Sequence, residues 1–334
     1  MRFLVLGGTA WLGGNVTKTA LELGHQVTCL ARGRSGSVPA GAVLVHADRD
    51  QPGAYDEVTE ERWDVVVDVS RQPGQVRRAV AALADCSSSF VFVSSCNVYA
   101  DQSTPGEGET TFLLPALDGD VMESVETYGQ AKVACEQHVL EAYGPDRTLI
   151  ARAGLIGGPG DIFDRTGYWP LRFSRPATAD GSVLVPDVPQ VATQVIDVRD
   201  LARWLVEAAS RGVSGIFNAT GETVPLLEHL EIARTVAGHT GPLVWATQDW
   251  LLAQNVEPWM GARSLPLWLA DPDWVGLSAR DSSKARTEGL RTRTLGETLA
   301  DTLAWELTRG ATGPRQAGLS DEDERSLVLA LMAS

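Results

Sequence analysis

The chain opens on Arg2-Phe3-Leu4-Val5-Leu6-Gly7-Gly8-Thr9-Ala10-Trp11-Leu12-Gly13, in which an apolar run leads into a glycine-rich segment. The pattern predicts a buried strand over 2–6, a turn, and a helix over 12–23. Glycines in such a turn let a pyrophosphate approach the backbone, and the helix N-terminus adds unpaired N–H groups and partial positive charge. Because the turn follows the first strand of a β-α-β unit, we interpret it as a dinucleotide-binding turn rather than a purely structural one.

The residues of this turn that we expect to contact a dinucleotide are Gly7, Thr9, Ala10, Trp11, Leu12 and Gly13. Ala10 stands where the usual G-x-x-G-x-x-G pattern has its second glycine. The additional methyl group is compatible with binding if Ala10 keeps a negative φ angle and the dinucleotide is slightly displaced.

The first half of the chain repeats this alternation of apolar and amphipathic stretches, which is typical of β-α-β units that build a parallel sheet. Because the apolar runs do not alternate with polar residues, they favour strands buried on both faces. The sequence therefore predicts an α/β fold with a doubly wound parallel sheet. Further strands are predicted over 26–30, 43–46, 64–68, 89–93, 148–151 and 215–219, and helices over 75–84, 124–143, 198–210 and 295–309.

The regular alternation ends near residue 157, and we expect a second, smaller lobe beyond it. Five of the ten tryptophans lie between residues 221 and 279. We predict a dinucleotide-binding domain over 1–157 and a substrate lobe built from the inserted segments 158–190 and 221–279. The chain is expected to return to the first domain, with a closing helix, over 191–220 and 280–310. An acidic C-terminal tail is predicted over 311–334.

Composition excludes several classes of function. The net charge of −15 disfavours nucleic acid and anionic membranes, because proteins bind both through Lys and Arg. Apolar runs stay well short of the ~18 residues of a membrane span, and early glycines interrupt any signal peptide, so we expect a cytoplasmic protein. The four cysteines and five histidines lack the spacing of a zinc site, and we expect no metal.

The segment after the second strand indicates which nicotinamide cofactor binds. An NAD site places an acid there for the ribose 2′-hydroxyl, whereas this chain has Ala31-Arg32-Gly33-Arg34-Ser35. Two guanidinium groups beside a hydroxyl can hold a 2′-phosphate, so we expect Arg32, Arg34 and Ser35 to favour NADP(H) over NAD(H). A solvated basic turn is the alternative. Asp48, after the third strand, is placed to accept a hydrogen bond from the adenine amino group.

A candidate catalytic pair follows from spacing on the predicted helix over 124–143. Tyr128 and Lys132 are four residues apart and therefore share one helix face. A nearby ammonium favours the phenolate form of a phenol and so suits it to proton transfer near neutral pH. Ser94-Ser95-Cys96 end the fifth strand at the edge of the sheet that faces ligands, where a serine hydroxyl can hold a substrate oxygen.

With these motifs, the sequence resembles the extended short-chain dehydrogenase/reductases of the epimerase/dehydratase type, whose fold is Rossmann-type, from Met1 to about Glu306. Residues 7–13 are similar to the phosphate turn of that family, residues 94–99 to its S-S-x-x-V-Y segment, and residues 128–132 to its Y-x-x-x-K motif.

This resemblance implies specific roles. Tyr128 would exchange a proton with a carbonyl or hydroxyl oxygen, Lys132 would hold the nicotinamide ribose and favour the phenolate, and Ser95 would orient the substrate. A homodimer through the helix of Tyr128 and its neighbour is also implied. Further residues expected to line the cofactor are Val69, Ser70, Ala153 and Ile156.

Members of the family reduce ketones, epimerise or dehydrate nucleotide sugars, or keep the fold without the chemistry. Thr193-Gln194 stand where nucleotide-sugar enzymes usually carry an Arg-Asp pair, which disfavours such substrates, and the tryptophans suggest an apolar pocket. We therefore expect an NADPH-dependent reductase of a carbonyl, or an imine, on a moderately hydrophobic small molecule. Two alternatives stay open: an NAD(P)-dependent epimerase or dehydratase of a sugar or related substrate, and a non-catalytic NADP-binding regulator.

Overall fold

The computed structural model describes residues 1–309 and 315–333, which form two compact units. The first unit comprises Met1–Gly154, Val198–Thr220 and Arg280–Arg291, and the second comprises Leu155–Asp197, Gly221–Ala279 and Thr292–Ser334. The described residues do not include 310–314 and 334. The first of these segments lies where the predicted closing helix meets the predicted acidic tail, and residue 334 ends that tail.

The strands and helices of the described residues follow in chain order. The strands are β1 Arg2–Leu6, β2 Gln26–Ala31, β3 Val43–His46, β4 Trp63–Asp68, β5 Ser87–Ser95, β6 Thr148–Ala153, β7 Leu155–Gly157, β8 Val183–Asp187, β9 Ala192–Asp197, β10 Gly215–Ala219, β11 Thr223–Pro225, β12 Leu243–Thr247, β13 Glu257–Trp259 and β14 Ser264–Pro266. The helices are α1 Trp11–Glu22, α2 Asp56–Thr59, α3 Pro73–Leu83, α4 Tyr128–Tyr143, α5 Arg165–Ser174, α6 Val198–Ser210, α7 Leu226–Ala237, α8 Gln248–Ala253, α9 Ser283–Thr287, α10 Leu295–Arg309 and α11 Asp321–Met332.

The first unit is built on a seven-stranded parallel sheet in the order β10-β6-β5-β4-β1-β2-β3. Adjacent residues of a strand point to opposite faces, so Leu30 and Cys29 of β2 mark the two sides. Leu30 packs in a cluster with apolar residues of α3 and α4, whereas Cys29 contacts Thr17 of α1. Helices on both faces confirm the predicted doubly wound fold, and the chain reversal between β1 and β4 places the ligand edge at their carboxyl ends.

The predicted helix over 124–143 begins later than expected. Tyr128 is the first residue of α4, and a single 3₁₀ turn, Val125–Thr127, precedes it. The side chain of Ser124 accepts a hydrogen bond from the backbone N–H of Glu126 and so caps this turn. Serine favours such local bonds over the interior of a helix, and this places Tyr128 at a helix start.

The second unit differs from the lobe expected from the sequence. Residues 192–197 form β9, which pairs with β7 and β11, and α10 packs against α5 and α7, so both segments belong to this unit rather than to the first. Trp169 and Trp268 are fully buried in its core, whereas Trp245 and Trp274 are half exposed. No helix among the described residues is long and apolar enough to cross a membrane.

The acidic C-terminal segment contains a helix rather than a plain tail. Glu324 of α11 is fully buried, lies 2.7 Å from Arg172 of α5, and accepts a hydrogen bond of 2.9 Å from the backbone N–H of Leu184. Arg172 also pairs with Asp321 at 2.7 Å. Burial raises the pKa of Glu324, and the Arg172 charge opposes that rise. The carboxylates of α11 thus fasten it to α5 and β8.

His229 of α7 is a buried titratable group that couples the stability of the second unit to pH. Its Nδ1 is joined to Oγ1 of Thr193 by a hydrogen bond of 3.0 Å, and burial lowers its pKa to about 4. Above pH 6.5, His229 is neutral in both the folded and the unfolded chain. Between pH 6.5 and 4 only the unfolded chain takes up the proton, so stability is lost as the pH falls.

We predict that His229→Asn, which keeps a partner for Thr193 and removes the titration, flattens the pH dependence of unfolding. Between pH 6.5 and 4 the free energy of unfolding of the wild type should fall by about 1.4 kcal/mol per pH unit relative to the variant. Urea unfolding at pH 7, 6 and 5 measures this difference. Parallel curves for the two proteins would show that His229 does not titrate as stated.

Candidate active site

The turn between β1 and α1 has the geometry that a dinucleotide phosphate needs. Gly7 has φ +91°, a region that favours glycine, and a Cβ at Gly13 would overlap the carbonyl oxygen of Gly7. Ala10 precedes α1 with φ −82° and ψ 162°, so its methyl group meets the condition of a negative φ angle. The backbone N–H of Ala10 donates to the carbonyl of Gly7 at 3.0 Å, which closes the turn.

A groove opens at the carboxyl ends of β1 to β4, next to this turn. Trp11, Leu12 and Gly13 form the first turn of α1, and Ala153 ends β6 opposite Ser95 in the sheet. Ile156 lies in β7 of the second unit, and Lys132 lies on α4. Most of the predicted cofactor-binding residues line the groove itself, namely Gly7, Thr9, Ala10, Arg32, Arg34, Ser35, Asp48, Val69 and Ser70.

The basic turn after β2 lies at this groove with its side chains accessible. Arg32, Arg34 and Ser35 are exposed, and Gly33 between the arginines has φ +69°. Among the residues that the structure describes, neither guanidinium group donates a hydrogen bond to a protein acceptor. Asp48 accepts a hydrogen bond of 3.2 Å from the backbone N–H of Asp50. The turn thus has free donors that fit a phosphate group beside the groove.

A buried ion pair in the groove wall was missed at the level of sequence. Arg49, which is 8% exposed, donates from Nη1 and Nη2 to the two carboxylate oxygens of Asp68 at 2.8 and 2.5 Å, and Nε donates to the hydroxyl of Tyr55 at 2.9 Å. Burial alone would lower the pKa of Arg49, but Asp68 outweighs burial and raises it. The available signal was a charged residue, Asp68, closing an apolar strand.

Lys132 is almost completely buried, with 3% exposure, and its ammonium is held by backbone acceptors. Nζ donates to the carbonyl oxygens of Ser70 and Val93, each at 2.7 Å. It lies 4.7 Å from the centre of the Phe92 ring and 6.0 Å from that of the half-buried Tyr128 ring. The two residues of the predicted pair therefore lie on one helix face, next to the turn after β4 and the last residues of β5.

Ser95, the last residue of β5, is 7% exposed. Its hydroxyl donates to Oδ1 of Asn97 at 3.0 Å and accepts from the backbone N–H of Asn97 at 3.2 Å. Burial raises the pKa of the neighbouring Cys96 to about 12, and its thiol donates to the carbonyl of Arg152. Cys96 is thus a protonated, structural thiol, and the polar group offered at this strand end is the Ser95 hydroxyl.

Taken together, the first unit combines three chemical capacities. Its groove can hold a dinucleotide, a phenol beside a buried ammonium can exchange a proton, and a serine hydroxyl at the same edge of the sheet can orient an oxygen. The helix that carries Tyr128 is linked to the sheet by the hydrogen bond from Lys132 to the carbonyl of Val93, two residues before Ser95.

Comparison with known proteins gives a family and a fold. A sequence model of the NAD dependent epimerase/dehydratase family matches residues 3–219. A curated relative, the chloroplast stem-loop binding protein of 41 kDa b of Arabidopsis thaliana, is 26% identical over 258 residues, which are 71% of this chain and 63% of that protein. The matched region thus covers less than two thirds of this relative.

Solved structures of sugar epimerases have the same fold. UDP-N-acetylglucosamine 4-epimerase from Bacillus cereus superposes with a TM-score of 0.66 at 18% identity, over 95% of this chain and 100% of that chain. UDP-glucose 4-epimerase from Bifidobacterium longum, in complex with NAD⁺ and UDP, superposes with a TM-score of 0.63 at 17% identity, over 94% and 100% of the two chains. At such identities the likeness concerns the fold.

We predict that Gly13→Ala and Gly14→Ala, one residue apart in α1, have opposite effects. A Cβ at position 13 would overlap the Gly7 carbonyl, so the turn must shift, at a cost of about 1–3 kcal/mol of stability and with weaker NADP⁺ binding. At position 14 a Cβ lies 3.6 Å from the Gly8 carbonyl, an ordinary contact, and alanine should stabilise the helix by up to about 1 kcal/mol. Thermal unfolding and calorimetric titration with NADP⁺ measure both effects; equal behaviour of the two variants would contradict the close approach.

Proposed function

Because the chain belongs to the NAD dependent epimerase/dehydratase family, we propose that it is an NADPH-dependent reductase of a carbonyl group, or an imine, on a moderately hydrophobic small molecule. The observation that carries the proposal is the buried ammonium of Lys132 beside the ring of Tyr128, at the edge of the sheet that bears the dinucleotide groove. A phenol beside a buried ammonium is an arrangement suited to the transfer of a proton to a substrate oxygen.

Three side chains of the first unit take part in the proposed reaction. The hydroxyl of Ser95, which donates to Oδ1 of Asn97 in the free protein, turns to donate a hydrogen bond to the substrate carbonyl oxygen instead. The hydroxyl of Tyr128 donates the proton that this oxygen receives. The ammonium of Lys132 stabilises the phenolate that results, and it can also donate to a ribose hydroxyl of the cofactor. The cofactor, when bound, supplies the hydride.

The proposed preference for NADP(H) rests on the turn after β2. The guanidinium groups of Arg32 and Arg34 are exposed beside the groove and free to form charge-assisted hydrogen bonds with a 2′-phosphate. The nearest acid, Asp48, follows β3 rather than β2, so it does not stand in the usual position for a ribose 2′-hydroxyl.

Epimerisation or dehydration of a sugar is the second candidate, and the family and the solved sugar epimerases favour it. Thr193 and Gln194, at the positions considered for a substrate diphosphate, argue against a nucleotide sugar. Both are buried, with hydrogen bonds to His229 and Thr223 respectively. The two candidates differ in stoichiometry, because a reductase consumes NADPH and an epimerase returns its cofactor unchanged.

RNA binding is suggested only by the name of the curated relative, a stem-loop binding protein. The net charge of −15 opposes it, since RNA affinity arises largely from cations that neutralise phosphates.

We predict that Tyr128→Phe lowers the rate of NADPH oxidation with a panel of ketones and imines by at least ~100-fold, because the proton donor is lost. NADPH affinity should stay within about twofold of the wild type. Tyr143→Phe is the matched control: Tyr143 ends the same helix and its hydroxyl contacts Ser87 at 2.7 Å. A Tyr128→Phe protein that reduces the panel as fast as the control would refute the assignment.

We predict that Arg32→Ser and Arg34→Ser each weaken NADP⁺ binding by about 10–100-fold, the value of one charge-assisted hydrogen bond, and leave NAD⁺ binding nearly unchanged. Arg62→Ala, which removes another exposed arginine of the first unit that donates to the carbonyl of Asp85, should alter neither. Calorimetric titrations with both dinucleotides measure the ratio. Equal losses for NADP⁺ and NAD⁺ would contradict recognition of the 2′-phosphate.

A further inference from the structure

A continuous series of hydrogen bonds joins the wall of the groove to Lys132. Asp68, the last residue of β4, is fully buried, and its Oδ1 accepts a hydrogen bond of 2.8 Å from the backbone N–H of Ser70. The carbonyl of the same Ser70 accepts from Nζ of Lys132 at 2.7 Å. Asp68 and Lys132 therefore hold the two polar ends of one residue.

Asp68 is itself held in one orientation by Arg49. A guanidinium that bonds both carboxylate oxygens fixes the plane of the carboxylate as well as its position. Arg49 is fixed in turn by the hydroxyl of Tyr55 at 2.9 Å and by the carbonyl of Gln75 at 3.0 Å. With four such contacts, neither member of the pair can rotate without losing a buried hydrogen bond.

The turn that contains Ser70 has further restraints, which leave its carbonyl directed at Lys132. The hydroxyl of Ser70 donates to Oε1 of Gln75 at 2.9 Å and accepts from the backbone N–H of Gln72 at 3.1 Å. The N–H, the hydroxyl and the carbonyl of Ser70 thus all have partners. Without the carboxylate of Asp68, the N–H of Ser70 would lose its acceptor, and the turn would have to reorganise.

We propose that Asp68, oriented by Arg49, is a positioning residue that fixes the ammonium of Lys132 through the peptide of Ser70. This inference rests on the proposed function only in that it concerns the lysine assigned there to act beside Tyr128. Lys132 has two backbone acceptors, from adjacent strands. The acceptor from β5 is part of the sheet, whereas the acceptor from Ser70 lies beyond β4, and its position depends on Asp68.

The alternative is that Asp68 merely neutralises Arg49. The second unit offers a matched control for that alternative. Glu324 is equally buried, pairs with an arginine, Arg172, at 2.7 Å, and accepts a backbone N–H, that of Leu184, at 2.9 Å. Removal of either carboxylate perturbs a buried pair of an arginine and a carboxylate that also accepts a backbone N–H, although Asp68 contacts its arginine through two oxygens and Glu324 through one. Only Asp68 is linked to Lys132 through the residue that it holds.

The ammonium of Lys132 can be observed directly, because the chain has only three lysines. Lys18 and Lys284 are exposed, so their ammonium protons exchange rapidly with water, whereas Lys132 is 3% exposed and hydrogen-bonded. In protein labelled with ¹⁵N-lysine, we expect one slowly exchanging ammonium signal, assigned by its absence in Lys132→Arg. The experiment needs neither substrate nor turnover, so it stands apart from any failure of the reductase proposal.

Two variants of the pair are compared with the control. Arg49→Met combined with Asp68→Leu replaces the pair by apolar side chains, a change that folded proteins often tolerate at buried ion pairs. In this double variant, the ammonium protons of Lys132 should exchange with water at least tenfold faster, or the signal should broaden beyond detection. Asp68→Asn places an amide N–H₂ against Arg49, which should shift the side chain and lengthen its hydrogen bond with the backbone N–H of Ser70. The increase in the exchange rate of the Lys132 protons should therefore be smaller than in the double variant. Arg172→Met combined with Glu324→Leu should leave the signal unchanged.

The signal from either folded Asp68 variant decides the question, so failure of one variant to fold leaves the other to be measured. A change in an Asp68 variant, with the control at the wild-type position, supports the positioning role. An unchanged Lys132 signal in every Asp68 variant that folds overturns it. An equal change in the control also overturns it, because the effect would then follow from any lost buried pair.

Discussion

The site depends on one buried charge and the groups that accept its hydrogen bonds. An ammonium removed from water is strongly destabilising unless its protons are bonded, and Lys132 satisfies this requirement with carbonyls beyond β4 and at the end of β5. These two acceptors lie close together because the strands are parallel neighbours, so their carboxyl ends meet at one edge. The same bonds link the first half of α4 to the sheet, four residues after Tyr128.

Buried arginines and the buried lysine have different kinds of partner in this acidic chain. Arginine forms the buried ion pairs, as in Arg49 with Asp68, Arg152 with Glu136 and Arg172 with Glu324, because its planar fork can bond two oxygens at once. The one buried lysine bonds to single carbonyls, for which a compact ammonium with three donors is suited. The exposed arginines after β2 donate no hydrogen bond to the described residues of the protein.

The structure differs from two of the expectations that the sequence suggested. The acidic residues at 321–324 gave no sign of a helix packed through Glu324, because an isolated acidic run is indistinguishable from a solvated tail until Arg172 and the backbone of Leu184 are brought to it. Of the five tryptophans between residues 221 and 279, one fills the core, two are partly buried and two are half exposed; they are Trp268, then Trp250 and Trp259, then Trp245 and Trp274. Tryptophan density alone therefore did not distinguish a core from a pocket.

The sequence by itself determined the parallel α/β fold, the glycine turn at residues 7–13 and the shared face of Tyr128 and Lys132, because each depends on local periodicity or on spacing within one element. Tertiary structure alone decided that Lys132 is held by Ser70, 62 residues away, and that Arg49 is paired with Asp68, 19 residues away. Such contacts follow from the order in which strands assemble in the sheet, and no local pattern encodes that order.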